Sequence, residues 1–353
     1  MNFRPAKRYR KPAVAMQPII DPAGWTAEQM LRSDEWIYYL SKSEISEILS
    51  AVDTLSQQNV GILGITRENF SLPNFDKSLA LLREELLFGR GFFLLRGLPV
   101  DDMGLEAAGM AFWGLATRFG YCVSQNPKGH MLGHVKDFGG NYHDPKVRGY
   151  QTSVQMNYHS DQCDNVWLMC MHPARSGGES LIASTITVYN QMLKERPELV
   201  QALIADFYQT KHGEVAPGED PFYKLPVFSF KDGYFSGRGP GIHLLKAFDL
   251  PGVPPATENQ KEAFPYFQKL AGELSFPTTF RKGDIQVLHS HVTVHTRTAF
   301  QDFEELEKKR HLMRLWVVDD HGRPLVPGFR ENFCGIEIPG VQHSAPLNVF
   351  EAA

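Results

Sequence analysis

Four short, mostly apolar runs set the limits on this fold: Phe92–Leu95, Val166–Met171, Ile285–Leu288 and Leu312–Val318. Each has strand length. The first is closed by Gly97 and Pro99, and the third follows the turn pair Gly283-Asp284. Helical signals surround them. Ser41 and Glu44 make a capping box, with Ile45, Ile48, Leu49, Val52 and Leu55 following at helical spacing. A second helix runs through Leu79, Leu82 and Leu86 and stops at Gly89 or Gly91. Further helices are expected over 103–118, over 186–206 with Pro197 at a helix start, and over 257–273. Residues 207–256 are rich in Gly, Pro and aromatics and read as short strands and long loops.

No linker long enough to cut the chain lies between these elements. The expectation is one domain over residues 25–353, mainly β with flanking α. Its helical N-terminal part covers about 25–120 and an insert about 185–280. Residues 1–24 carry Arg4, Lys7, Arg8, Arg10 and Lys11, with no acid before Asp21. They read as a flexible basic arm without the apolar stretch of a secretory signal; a targeting role stays open.

Charge and cysteine usage exclude several function classes. Lys plus Arg count 36 against 40 Asp plus Glu, a formal net charge of −4, so no strong basic field points to nucleic acid. No run approaches the 18 or so apolar residues of a membrane span. Cys122, Cys163, Cys170 and Cys334 form no C-x-x-C pair, which excludes a zinc ribbon and makes reduced thiols in a cytoplasmic protein the simplest reading.

Chemistry concentrates in two places. The first is Tyr158-His159-Ser160-Asp161. Residues i and i+2 of a strand face one side, so His159 and Asp161 could offer an imidazole and a carboxylate to one metal. That is two thirds of a 2-His-1-carboxylate triad. The pattern alone is weak: with these His and acid counts chance gives about 1.5 matches to H-x-[DE], and His212-Gly213-Glu214 is a decoy. The second place is His289-Ser290-His291, then His295-Thr296-Arg297, then Arg310 to Trp316. A distant His followed 15 residues later by Arg310 suits a third ligand and a carboxylate clamp, because Arg presents a rigid donor fork.

Taken in order, Phe92 to Pro99, His159-Ser160-Asp161, Ser176-Gly177-Gly178-Glu179-Ser180, His295 to Phe300 and Arg310 to Trp316 resemble the taurine dioxygenase / γ-butyrobetaine hydroxylase (TauD/TfdA-like) superfamily. Its members are Fe(II)- and 2-oxoglutarate-dependent oxygenases. The resemblance runs from about residue 85 to 330. It implies a double-stranded β-helix (jelly-roll barrel, clavaminate synthase-like) with N-terminal and inserted helices, the insert carrying a lid.

It also implies roles. His159, Asp161 and His295 take the places of the iron ligands, and Arg310 that of the arginine holding the distal carboxylate of 2-oxoglutarate. Ser180 takes the place of a hydroxyl on the same carboxylate, and Arg314 that of a second arginine near the other end. Gln155 and Asn157 lie where relatives place substrate contacts. Fe(II), 2-oxoglutarate and O₂ are then needed to oxidise a small organic substrate, with succinate and CO₂ as co-products. Asp161 favours hydroxylation, desaturation or ring closure, since halogenating relatives lack this carboxylate. A homo-oligomer is possible.

Alternatives stay open at this point. His291 is the second choice for the third ligand. Arg314 could serve a structural ion pair, Gln155 and Asn157 could bond local backbone, and Arg297 could pair with Asp302. Trp167 and Phe300 read as core. As a whole the chain could be a non-catalytic binding module with a vestigial site. It could also be a zinc hydrolase, which would leave Arg310 and Ser180 unexplained.

Overall fold

The computed structural model describes residues 3–139, 152–211, 218, 220–239 and 245–348. The four apolar runs become strands Phe92–Arg96, Asn165–His172, Ile285–His289 and His311–Val318. They are neighbours in one seven-stranded sheet, in the order Ile37–Tyr39, Phe92–Arg96, Ile285–His289, Asn165–His172, His311–Val318, Tyr121–Val123; Gly133–Val135 also pairs with His311–Val318. All these pairs are antiparallel except the one between Ile37–Tyr39 and Phe92–Arg96. A second sheet of three antiparallel strands sets Ser180–Ser184 between Phe276–Thr278 and Thr293–Arg297.

Strand alternation explains how the two sheets close on each other. Val166, Leu168, Cys170, Leu288, Leu312 and Trp316 of the large sheet share a core with Ile182 and Phe276 of the small one. The intervening residues Trp167, Met169, Val287, Met313, Leu315 and Val317 face the other way. There they pack on the helices Lys42–Gln57, Asp76–Phe88 and Val100–Ala116. The result is a double-stranded β-helix, with helices on the outer face of each sheet. The helices Thr185–Glu195, Pro197–Ile204 and Glu258–Leu274 cover the smaller sheet.

Several local expectations hold and some shift. Ser41 and Glu44 form the capping box in full, and Gly89 ends the second helix. The helix expected over 103–118 instead spans Val100–Ala116 and is interrupted at Gly104, whose φ of 73° is non-helical. Residues 186–206 form two helices, because Pro197 forces Arg196 out of helical geometry and starts the second one. Trp167 is fully buried. The four cysteines are free thiols, with Cys163 and Cys170 buried. No helix among the described residues is long and apolar enough to cross a membrane.

The N-terminal segment, expected as a flexible arm, lies along the domain from residue 3 onward. Phe3 packs edge-on against Tyr38, Arg8 pairs with Glu84, Arg10 lies over the Tyr234 ring, and the Ala13 N–H donates to the Gly233 carbonyl. These partners sit 35 to 224 residues away in sequence, so reading the segment by itself shows only its charge.

Candidate metal centre

The small sheet carries the third expected ligand. On Thr293–Arg297, Val294 faces the helices, so Thr293, His295 and Arg297 face the barrel interior. His295 stands opposite Ile182 of the central strand. The segment bearing His159 adds to the edge of this sheet: His159 N–H donates to the His295 carbonyl and His295 N–H to the His159 carbonyl, both at 3.0 Å. That two-way bridge brings the imidazoles together across 136 residues of chain, with ring centroids 4.5 Å apart. Asp161, two residues on, reaches the same point, its Oδ2 3.7 Å from His295 Nε2.

One donor atom from each of His159, Asp161 and His295 lies within 4.8 Å of the others, and among the described residues this is the one such cluster. Its protonation suits a cation. His159 Nδ1 is held by the Asn157 carbonyl at 2.8 Å, which leaves Nε2 as the free donor nitrogen. Burial, with His159 alongside, pushes His295 down to about 3 despite Asp161, so it is neutral at pH 7. Burial alone would raise the Asp161 carboxyl. Arg314, His295 and His159 more than offset this and hold it below its ordinary value. Asp161 Oδ2 is buried with no hydrogen-bond partner. A buried anionic oxygen left open in this way fits a metal ion.

The arginines divide in role. Arg314 lies on the interior face of its strand with Leu312 and Trp316. It donates to Asp161 Oδ1 at 3.2 Å and through Nε to Gln125 Oε1 at 2.7 Å. This ion pair holds the orientation of the carboxylate. Arg310 is buried, and its Nη1 has no partner. It rests over Phe300, 5.1 Å from the ring centroid. Gly178, at φ +75°, leaves room for it: a Cβ there would lie 3.2 Å from Arg310 Nε. Burial lowers Arg310 to about 10, so it remains a cation at pH 7.

Ser180 is buried in the same interior and donates to Gln286 Oε1 at 2.8 Å; Gln286 Nε2 donates to Thr278 Oγ1. Gln286 and Gln125 were not singled out in the sequence. Gln286 did carry a signal, being one polar residue inside the run Ile285–Leu288; Gln125 carried none. Asn157 contributes its carbonyl to His159, and Gln155 is exposed. Arg297 donates to the Thr152 carbonyl and lies 4.6 Å from the Phe300 centroid. Asp302 Oδ1 instead accepts the backbone N–H of Arg310 at 2.6 Å. Phe300 is thus a buried platform for two guanidinium groups.

His289 and His291 are committed elsewhere. His291 Nε2 lies 2.7 Å from Asp164 Oδ1 and its Nδ1 2.8 Å from Ser236 Oγ, while His289 Nδ1 faces the Asp164 carbonyl. The decoy at 212–214 lies outside the described residues.

Comparison with known proteins agrees with this geometry. The model of the family "Taurine catabolism dioxygenase TauD, TfdA" matches residues 54–316. The chain is 30% identical to FR-33289 synthase of Streptomyces rubellomurinus, over 88% of its own length and 93% of that protein. It is 26% identical to a taurine hydroxylase-like protein of Stachybotrys chartarum, over 85% of its length and 80% of the relative. Asparagine oxygenase, solved with Fe(II), 3-hydroxyasparagine and succinate, shares the fold at a TM-score of 0.63 and 20% identity, over 80% of this chain and 93% of that one. The non-heme iron oxygenase OrfP, solved with Fe and alpha-ketoglutaric acid, shares it at 0.61 and 15%, over 80% and 94%. The family match over most of the chain and the 30% relative lead to one conclusion: the chain belongs to the TauD, TfdA family, a family of iron- and 2-oxoglutarate-type dioxygenases.

Proposed function

We propose that His159, Asp161 and His295 hold Fe(II), that Arg310 holds the distal carboxylate of 2-oxoglutarate, and that the site oxidises a small organic substrate. The observation that carries this reading is the pair of orphaned, oppositely charged buried atoms, Asp161 Oδ2 and Arg310 Nη1. Each asks for a partner of opposite sign, a cation at one and an anion at the other. A zinc hydrolase would answer only the first. A vestigial module would answer neither.

Iron bound there, with 2-oxoglutarate and O₂, supplies the oxidising power: substrate, 2-oxoglutarate and O₂ give hydroxylated substrate, succinate and CO₂. The chain's own residues position and insulate. Arg314 and Gln125 fix the Asp161 carboxylate so that Oδ2 alone points to the cluster. The Asn157 carbonyl fixes the His159 ring. Phe300 and Gly178 hold the Arg310 fork in a low-dielectric setting, where it favours a dicarboxylate. Ser180, turned from Gln286, offers a hydroxyl to the same carboxylate. Asparagine oxygenase and OrfP, solved with hydroxylated amino acids, support hydroxylation of a small molecule.

The test is anaerobic addition of Fe(II) and 2-oxoglutarate. A weak visible charge-transfer band with saturable 2-oxoglutarate binding by calorimetry is the expected result. Absence of both overturns the reading. Mass analysis of product across a substrate panel then separates gain of oxygen from loss of two hydrogens.

A further inference from the structure

Buried arginines in this chain mostly face a carboxylate. Arg90 meets Glu85, Arg118 meets Asp76, Arg323 meets Asp21 and Arg314 meets Asp161. Arg238 does not. It is 7% exposed, its Nε is buried with no hydrogen-bond partner, and among the described residues no acidic oxygen lies within ion-pair reach. Its guanidinium lies on the Phe333 ring with Phe329 5.9 Å away, two members of a small apolar cluster with Leu225.

Its place in the chain is what gives this cation meaning. It follows the strand Tyr234–Gly237, and the next residue, Gly239, donates its N–H to Ser160 Oγ at 3.0 Å. Gly239 packs so closely on the His159 backbone that a Cβ would lie 2.8 Å from His159 Cα. The backbone therefore passes directly over the first ligand of the metal centre. Among the described residues, the titratable groups acting on Arg238 are Tyr223, Cys163 and Asp161. Burial lowers it to about 9, still a cation at neutral pH. Arg310 stands on a different aromatic wall, Phe300. Among the described residues Arg238 and Arg310 are thus buried arginines with an orphaned nitrogen and no carboxylate in ion-pair reach, and the distal carboxylate of 2-oxoglutarate, assigned to Arg310, leaves Arg238 without an anion.

We propose that Arg238 is a specificity residue of the oxidation site and pairs with an oxyanion carried by the substrate. The inference rests on the oxygenase reading above. A buried, unpaired guanidinium is unfavourable by itself, and an anion entering beside Phe333 would remove that penalty while gaining a strong charge-assisted bond. The substrate class is then a small molecule whose oxidisable carbon is separated by a short spacer from a carboxylate or a tetrahedral oxyanion. Planar and tetrahedral groups share this chemistry, and the test separates them.

The experiment uses the full chain loaded with Fe(II) and saturated with 2-oxoglutarate under anaerobic conditions, so that Arg310 is occupied. Acetate and methylphosphonate are titrated separately by calorimetry. Wild type is expected to bind at least one, acetate marking a planar site and methylphosphonate a tetrahedral one. Arg238→Met should weaken that binding about tenfold or more, with 2-oxoglutarate affinity unchanged and the melting temperature held or raised. Should Arg238→Met fail to fold, Arg238→Gln, which keeps donors without charge, must show the same loss. Equal anion binding by wild type and variant, or none by wild type while 2-oxoglutarate binds, overturns the proposal alone. Absence of 2-oxoglutarate binding in wild type overturns the oxygenase reading and this proposal with it.

Discussion

Two clusters of His, Asp and Arg lie side by side in this barrel and do opposite things. One is His159, Asp161 and His295 with Arg314. The other is His289, His291 and Asp164 with Arg330. Asp161 and Asp164 are three residues apart, and both sit against imidazoles in a buried setting. In the second cluster nearly every polar atom is closed by protein. Asp164 Oδ1 takes His291, and its Oδ2 takes Arg330 at 2.6 Å and the Asp319 N–H at 2.9 Å. In the first, Asp161 Oδ2 is left with nothing. Residue type does not separate a binding site from a structural network here. The charge on the unanswered atom does: a carboxylate oxygen, Asp161 Oδ2, in the first cluster, and only the imidazole Nε2 of His289 in the second.

The sharpest way to break the comparison is to remove each carboxylate. Asp164→Ala leaves a buried His291 and a half-buried Arg330 without their anion, which should cost about 3–5 kcal/mol of stability, read by urea unfolding. An unfolding free energy within 1 kcal/mol or so of wild type would show that the closed network holds nothing together. Asp161→Ala should behave in reverse. Succinate formation should fall at least about 100-fold, since loss of an outer partner of a metal ligand already costs 10–100-fold, while unfolding changes less than in Asp164→Ala, because losing the Arg314 pair is partly offset by losing the unpartnered Oδ2 charge. Turnover retained in Asp161→Ala would mean the open cluster is not the oxidising centre.

Arg310→Met probes the open region at its anionic end. Removing one partner of a buried charge pair should raise the 2-oxoglutarate requirement about 30-fold or more. Turnover at saturating 2-oxoglutarate should fall less, because Arg310 is not among the metal-binding groups. Stability should hold or rise, since the unliganded protein loses an unpaired buried cation. A 2-oxoglutarate requirement identical to that of wild type would hand the clamp to another residue.

Much of this was legible in the sequence, for local reasons. The strands were visible because each is a short apolar run, and the cluster of His159, Asp161 and His295 because the ordered motifs from Phe92 to Trp316 resemble one family. What escaped depends on distant partners. Nothing near Gln125 announces that it will brace Arg314, 189 residues away. Arg238 lies in the stretch 207–256, read only as short strands and long loops, and it is the fold that buries it against Phe333. His291 could not be separated from His295 by spacing. The structure separates them, since His291 has both ring nitrogens engaged while His295 Nε2 faces the cluster. Strand alternation adds a physical reason, because His295 is placed on the interior face opposite Ile182.

The smallest effect, and the finest test of the comparison, is in acid. Burial alone would raise Asp164, but His291 and Arg330 bring it down to about 2, against 3.8 when free. Its folded value is depressed, so its contribution is complete above the free value and disappears as pH falls through the folded one. The linkage integral puts about 1 kcal/mol of that contribution already lost at pH 3. The buried imidazoles act earlier and in the same direction. Burial holds His289 and His291 below 6.5, so the unfolded chain binds more protons and stability declines as pH drops beneath about 6.5. Wild type should therefore lose melting temperature in two stages, one beginning near pH 6.5 and one below pH 4. Asp164→Asn should show a smaller second stage, since Asp161 and Glu179 are also held low, so the gap between it and wild type narrows from pH 5 to pH 3. A gap that stays constant over that interval would mean Asp164 is held by packing rather than by its charge, and the contrast between closed and open carboxylates would then rest on geometry alone.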